Sequence, residues 1–278
     1  MKNTWMFRRL LLVAIPLSLA APAWAVIMPA CPSNPTTNAL TVYQPPDPAT
    51  GCQVLNVQFS NFMVGTDAGA TINGLTLGAN TVPLPGTDNV LLTTALSPFA
   101  GIELSPSPAN LPNGKGFCKS NSGPGGWCIQ GANQSLASSV TFQMVAVNGI
   151  SISSLDILSS VDVHASGSGV LLGASALVFQ EVCPNTTVFS QGCAGYQVVQ
   201  VGLFNAKNQN LVSSGFSSFA PTMEVAVRDT VYLFTNAGTG SFADVDAFDI
   251  LTPEPATFGL VGLALAGLGA LRIRKRKV

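Results

Sequence analysis

Apolar and polar positions alternate with period two along much of this chain. In 55–60, Leu55, Val57 and Phe59 fall on one side, and Asn56, Gln58 and Ser60 on the other. Val140, Phe142, Met144 and Ala146 make one face of a second strand, and 150–152, 155–157 and 161–163 read as shorter pieces. A long apolar run covers 170–182, and another candidate strand follows at 196–204. The clearest alternation is 223–227, with Met223, Val225 and Val227 expected inward and Glu224 and Arg228 outward. Segments 231–234 and 242–250 complete the series. No segment sustains apolar spacing at i, i+3, i+4 and i+7 with charges behind it. Many short strands separated by Gly, Pro and Asn turns predict an all-β domain, an antiparallel β-sandwich of jelly-roll-like form. Irregular Pro-rich stretches lie at 33–48 and 105–112, and no internal repeat is evident.

The two ends of the chain break the alternation. At the start, Lys2, Arg8 and Arg9 precede an apolar stretch, 10–20, and Ala23-Trp24-Ala25 is a small-x-small cleavage site. This is the pattern of a signal peptide with a signal helix, and it puts the mature N-terminus at Val26 after cleavage by signal peptidase. Cys31 follows Met28-Pro29-Ala30, a poor match to a lipidation site, with a better cleavage site upstream. At the other end, Pro253-Glu254-Pro255 precedes an uncharged run, 256–271, and then Arg272, Arg274, Lys275, Arg276 and Lys277. The two prolines hold the chain extended, in a form a protease or transpeptidase could thread. The 16 apolar residues span about 24 Å as a helix, short of a hydrocarbon core of about 30 Å. Snorkelling cations and local thinning can close that gap. The segment is expected to be a C-terminal transmembrane helix whose basic cluster stays cytoplasmic, leaving the preceding chain outside. Three parts follow: a signal peptide over 1–25, an ectodomain over 26–252, and a sorting and anchoring segment over 253–278.

The triplet, the apolar run and the basic end resemble the PEP-CTERM sorting signal in order and in place. The resemblance implies recognition of Pro253, Glu254 and Pro255 by an exosortase, a membrane enzyme resembling a cysteine transpeptidase. It also implies a Gram-negative bacterium that makes an exopolysaccharide or biofilm matrix, and only transient residence in the inner membrane. The stretch from Gly51-Cys52-Gln53-Val54 to Phe59-Ser60-Asn61-Phe62 is loosely similar to the opening strand of many PEP-CTERM ectodomains. So is Val227-Arg228-Asp229 with its following Gly-rich turn.

Charge sharpens the picture. The whole chain has a formal net charge of −1, but eight of its twelve cations lie in the two end segments. Residues 26–252 hold four basic and twelve acidic residues, a formal charge of −8. Such a domain does not fit nucleic acid, which needs neutralised phosphates. All six cysteines lie in it, and an even number outside the cytoplasm predicts disulfides. Their spacing groups them as Cys31 with Cys52, Cys118 with Cys128, and Cys183 with Cys193, each closing a short loop. Their spacing does not suit a metal.

Candidate chemistry is thin. The single histidine, His164, shares a strand face with Asp162, but no Gly-x-Ser-x-Gly or His-Glu-x-x-His motif accompanies it. The pair reads as solvent-facing rather than catalytic. Asp244, Asp246 and Asp249 offer carboxylates for Ca²⁺, with Asp244 and Asp246 expected on one face, although the spacing is not that of an EF-hand. A polar strand face is the simpler reading. Trp127, in Gly123-Pro124-Gly125-Gly126-Trp127-Cys128, could stack on a sugar if exposed. The more economical expectation folds it back over the Cys118–Cys128 bridge. The sequence therefore predicts a non-catalytic exported protein without a cofactor, destined for the cell surface or extracellular matrix, with exopolysaccharide as a candidate partner. A carbohydrate-binding module is the first alternative and a hydrolase with a dispersed site the second.

Overall fold

The computed structural model describes residues 28–33, 40, 51–85, 90–95, 100–106, 127–165, 173–207, 209–236, 238 and 240–252. The signal segment and 253–278, with the sorting triplet, the apolar run and the basic cluster, lie outside these residues, as does Cys118. No α-helix occurs among the described residues, and so no helix among them is long and apolar enough to cross a membrane.

Among the described residues, fourteen strands form two large antiparallel sheets and one small hairpin. The first sheet runs β1 (Gly51–Val54), β2 (Val57–Thr66), β8 (Gln134–Ala146), β13 (Glu224–Thr235), β10 (Ala174–Pro184), β11 (Gln197–Ala206). The second runs β12 (Gln209–Thr222), β9 (Ile152–His164), β14 (Phe242–Thr252), β6 (Ala100–Pro106), β5 (Val90–Ala95), with β7 (Cys128–Gln130) paired to the start of β14. β3 (Thr71–Ile72) and β4 (Leu75–Thr76) are joined through Asn73 and Gly74, both at positive φ, as a two-residue hairpin turn requires.

The alternation in sequence maps onto one apolar core shared by the two sheets. From the first sheet come Phe59, Phe142, Met144, Val178, Val227 and Leu233; from the second, Leu92, Leu104, Ile157, Val161, Val245 and Phe248. The Phe62 and Phe142 rings stack 5.3 Å apart. A second, smaller cluster forms on the outer face of the first sheet, where Leu177, Phe179 and Tyr232 meet Ile72 and Leu77 of the hairpin segment. Two glycines permit close backbone approaches. A Cβ on Gly101 would lie 1.9 Å from the Ile250 carbonyl oxygen, and one on Gly202 would lie 2.2 Å from that of Ala176.

Several boundaries differ from the sequence pattern for identifiable reasons. Leu55 does not point inward: it sits at φ 50° in the turn between β1 and β2 and is 58% exposed. Met223 also leaves the strand face and is 45% exposed, whereas Val225 and Val227 are buried as the alternation requires. The three short pieces in 150–163 are one strand, β9, because its serines continue the ladder between apolar residues. Likewise 224–235 is one strand rather than two.

Disulfides Cys31–Cys52 and Cys183–Cys193 are present with Cα separations of 4.7 and 5.9 Å. The first ties the segment around Ala30, which bridges Gln53, to β1. The second closes the loop between β10 and β11. Cys128 is itself disulfide-bonded.

Candidate functional site

Chemistry-bearing side chains gather in three places: the outer face of the first sheet, the interior, and the outer face of the second sheet. On the first face, Arg228 of β13 and Glu181 of β10 are cross-strand neighbours. The Arg228 Nε donates to Glu181 Oε2 at 2.8 Å, and a guanidinium nitrogen lies 3.5 Å from Asp67 Oδ1. Glu181 is fully buried and accepts further hydrogen bonds from Gln191 Nε2 at 3.2 Å and from the Tyr196 hydroxyl. Thr230 donates to the other oxygen of Asp67. The guanidinium also sits over the Phe189 ring, 4.8 Å from its centroid. Phe189, Gln191 and Tyr196 come from the loop tied by the Cys183–Cys193 bridge or the residues just after it. Burial, helped by Glu181, pushes the Tyr196 phenol up from its ordinary range. Every polar group in this knot has a partner, which is how a buried charge is tolerated.

The interior holds an opposite case. Asp229 and Gln180 face each other in register on β13 and β10. Both are fully buried, and neither side chain completes a hydrogen bond. Burial drives the Asp229 carboxyl well above the ordinary carboxylate range.

Trp127 also belongs to the interior. The structure corrects the sugar-platform alternative: the indole is 1% exposed, lies 5.0 Å from the Phe248 ring and donates from Nε1 to Ser138 Oγ at 3.4 Å. It fills the space beside β14 because its large apolar body gains most when buried and its single N–H has an acceptor there. No face remains for a pyranose.

The second sheet's outer face carries acids on successive strands. One row across the sheet reads Ser214, Leu158, Asp249, Glu103, Thr93. Thr93 donates to Glu103 Oε1 at 3.5 Å, and the Asp249 carboxyl is pushed up to about 6 by burial and by Glu103. The adjacent row sets Phe216, 59% exposed on the edge strand β12, against Asp156, whose carboxyl burial also raises. At the far end, Asn210, Asp162 and Asp244 align.

The expected trio of aspartates is therefore divided. A bulge between Val245 and Ala247 inserts Asp246, which is exposed and accepts from Ser160 Oγ at 3.3 Å. Asp244 and Asp246 still act on one another electrostatically, together with Asp162, and burial with these neighbours raises the Asp244 carboxyl to about 8. Asp249 answers to Glu103 instead. No group of three or more His, Cys, Asp or Glu among the described residues is arranged to hold a metal ion. Asp162 points away from the core as expected, flanked by buried Val161 and Val163; the His164 side chain lies outside the described residues. Sequence reasoning missed Glu103, Asp67 and Glu181. Their charged neighbours, Asp249 for Glu103 and Arg228 for Asp67 and Glu181, lie far along the chain and are brought close only by the fold.

β14 ends at Thr252, which is buried, so the sheet runs to the residue before Pro253. Residues 251–276 match the PEP-CTERM protein-sorting motif. No curated protein matches the chain. Among solved structures, TmCBM61 in complex with β-1,4-galactotriose is similar at 9% identity, covering 69% of this chain and 88% of its own, with a TM-score of 0.30. The arabinose-bound α-L-arabinofuranosidase MgGH51 is similar at 14% identity over 59% of this chain and 22% of its own, with a TM-score of 0.20. The VP2 subviral particle of infectious bursal disease virus follows at 13% identity, 82% and 72% coverage, and a TM-score of 0.17. At these TM-scores, none of the three bears on function.

Proposed function

We propose that this protein is exported and non-catalytic, and that it reaches the bacterial surface or extracellular matrix after an exosortase processes its C-terminal signal. The observation that carries this reading is the PEP-CTERM sorting motif over 251–276, joined without a spacer to the last strand of an all-β domain. In this reading a signal peptide, 1–25, is removed by signal peptidase at Val26. Residues 26–252 form a jelly-roll-like sandwich, and 253–278 is a transient inner-membrane anchor in a Gram-negative cell. Two disulfides suit an oxidising compartment. The extended Pro253-Glu254-Pro255 triplet is the substrate strand, and the basic residues from Arg272 to Lys277 stop translocation and set the triplet's depth. The domain then serves as a structural or adhesive component associated with exopolysaccharide or biofilm. Burial of Trp127 removes the residue that motivated a separate carbohydrate-binding reading.

The test is mass spectrometry of surface-released protein from a strain that has its exosortase. The expected product lacks the segment after the triplet. A Pro253→Ala, Pro255→Ala variant should insert normally but remain unprocessed. Released protein that still extends to Val278, or full processing of the double variant, would overturn the proposal.

A further inference from the structure

At one end of the second sheet's outer face, β14 lies between β7 and β9. Asp244 is opposite Asp162 on one side and opposite Cys128 on the other. Gln130, two residues beyond Cys128, occupies the diagonal position, which a long side chain reaches in an antiparallel pair. Ile129 between them points into the core. Asp244 is only 7% exposed. Its Oδ1 is buried without a hydrogen-bond partner, and so is Gln130 Oε1. The two orphaned atoms are both acceptors, and they arise on different strands.

Two costs meet at this point. Buried acceptors without donors are unfavourable, and like charges directly opposite each other in a sheet are unfavourable as well. A bound cation removes both. Apart from His164, whose side chain lies outside the described residues, the described residues hold two basic residues, Lys207 and Arg228. Arg228 is committed to Glu181 and Asp67 on the other sheet, and Lys207, in the turn before β12, is exposed. The contrast with Asp249 and Glu103 is informative: that pair is only half-buried, Thr93 donates to it, and it leaves no orphaned atom.

We propose that Asp244, Asp162 and Gln130 form a divalent-cation site that takes Ca²⁺. Two carboxylates and an amide oxygen are hard ligands of the kind Ca²⁺ accepts, with water completing its six to eight positions. Cys128, whose Sγ lies 4.0 Å from Asp244 Oδ2, is disulfide-bonded and supplies no thiolate, which disfavours Zn²⁺. Exposed Asp246 adds charge at the rim. This site stands apart from the sorting reading and does not depend on it.

The test uses the full chain in detergent, stripped with chelator and buffered above the point at which Asp244 loses its proton. Thermal unfolding is followed as CaCl₂ is raised to about 10 mM, with MgCl₂ and matched NaCl as controls; saturation is expected at roughly 0.1–1 mM, the range of extracellular modules. Asp244→Asn and Asp162→Asn should each abolish the Ca²⁺-dependent rise in Tm, and Gln130→Ala should weaken it. Asp249→Asn should leave it intact. Equilibrium dialysis with radioactive calcium on the unmodified chain gives a second readout, with one ion per chain expected. Absence of bound calcium, no rise beyond the NaCl control, a rise retained in Asp244→Asn, or an equal rise with MgCl₂ would overturn the assignment.

Discussion

The outer faces of the two sheets solve the same problem in opposite ways. On the first, two acids share Arg228, and hydroxyl and amide donors fill the remaining lone pairs. On the second, Asp244 faces Asp162 and Asp249 faces Glu103 with no such arginine between them. The carboxyls answer by holding protons more tightly, Asp244 to about 8 and Asp249 to about 6. Burial first, and the neighbouring acids second, raise these two carboxyls. One face is a closed network; the other is open to a proton or a cation.

The comparison breaks most severely at Arg228. Arg228→Met should lower the free energy of unfolding by about 3–5 kcal/mol, because it strands fully buried Glu181 and Asp67 without their counter-charge. Urea unfolding near neutral pH measures this. A loss below about 1 kcal/mol would place the knot among ordinary surface ion pairs. Opening the loop that carries Phe189 and Gln191, by changing both Cys183 and Cys193 to Ser, should cost about 2–3 kcal/mol. Non-reducing denaturant titration checks it.

On the other face the sign reverses. With calcium removed, Asp244→Asn should raise stability near pH 8 by roughly 1–3 kcal/mol, since the amide supplies donors to orphaned acceptors. A folded-state pKa above the unfolded 3.8 means that Asp244 contributes stability below pH 3.8 and loses it as pH rises to about 8. The wild-type curve should fall across that window, and the variant's should be flatter. Asp249→Asn should act likewise between 3.8 and about 6, but by only about 0.5–1 kcal/mol, because solvent screens this half-buried group. Unfolding free energies at a series of pH values separate the two windows.

The strands with strict alternation were legible in the chain itself. Val140 to Ala146 in β8 and Val225 to Val227 in β13 face inward because period two and a single buried face leave no other register. β12 was not legible. Its serines and Gly215 look like a loop, yet a strand at the sheet edge needs only one ladder and little burial. The three aspartates near the end of the domain were visible as a cluster, but the bulge at Asp246 and the neighbours Asp162 and Glu103 were not, since each depends on a partner strand from far along the chain. Trp127 shows the same limit from the other side: glycines around it suggest a mobile loop, whereas Phe248 and Ser138 give it a buried seat.

The abrupt passage from β14 to Pro253 has a mechanical consequence. A pull on the C-terminal segment enters the domain along β14, which near this end is bonded to β9 on one side and to β6 on the other. Load applied along the strand strains those rungs together, in shear, instead of peeling them one at a time. A strand gripped from both flanks thus takes up such a pull, so the load is spread over the sheet and not concentrated on its edge.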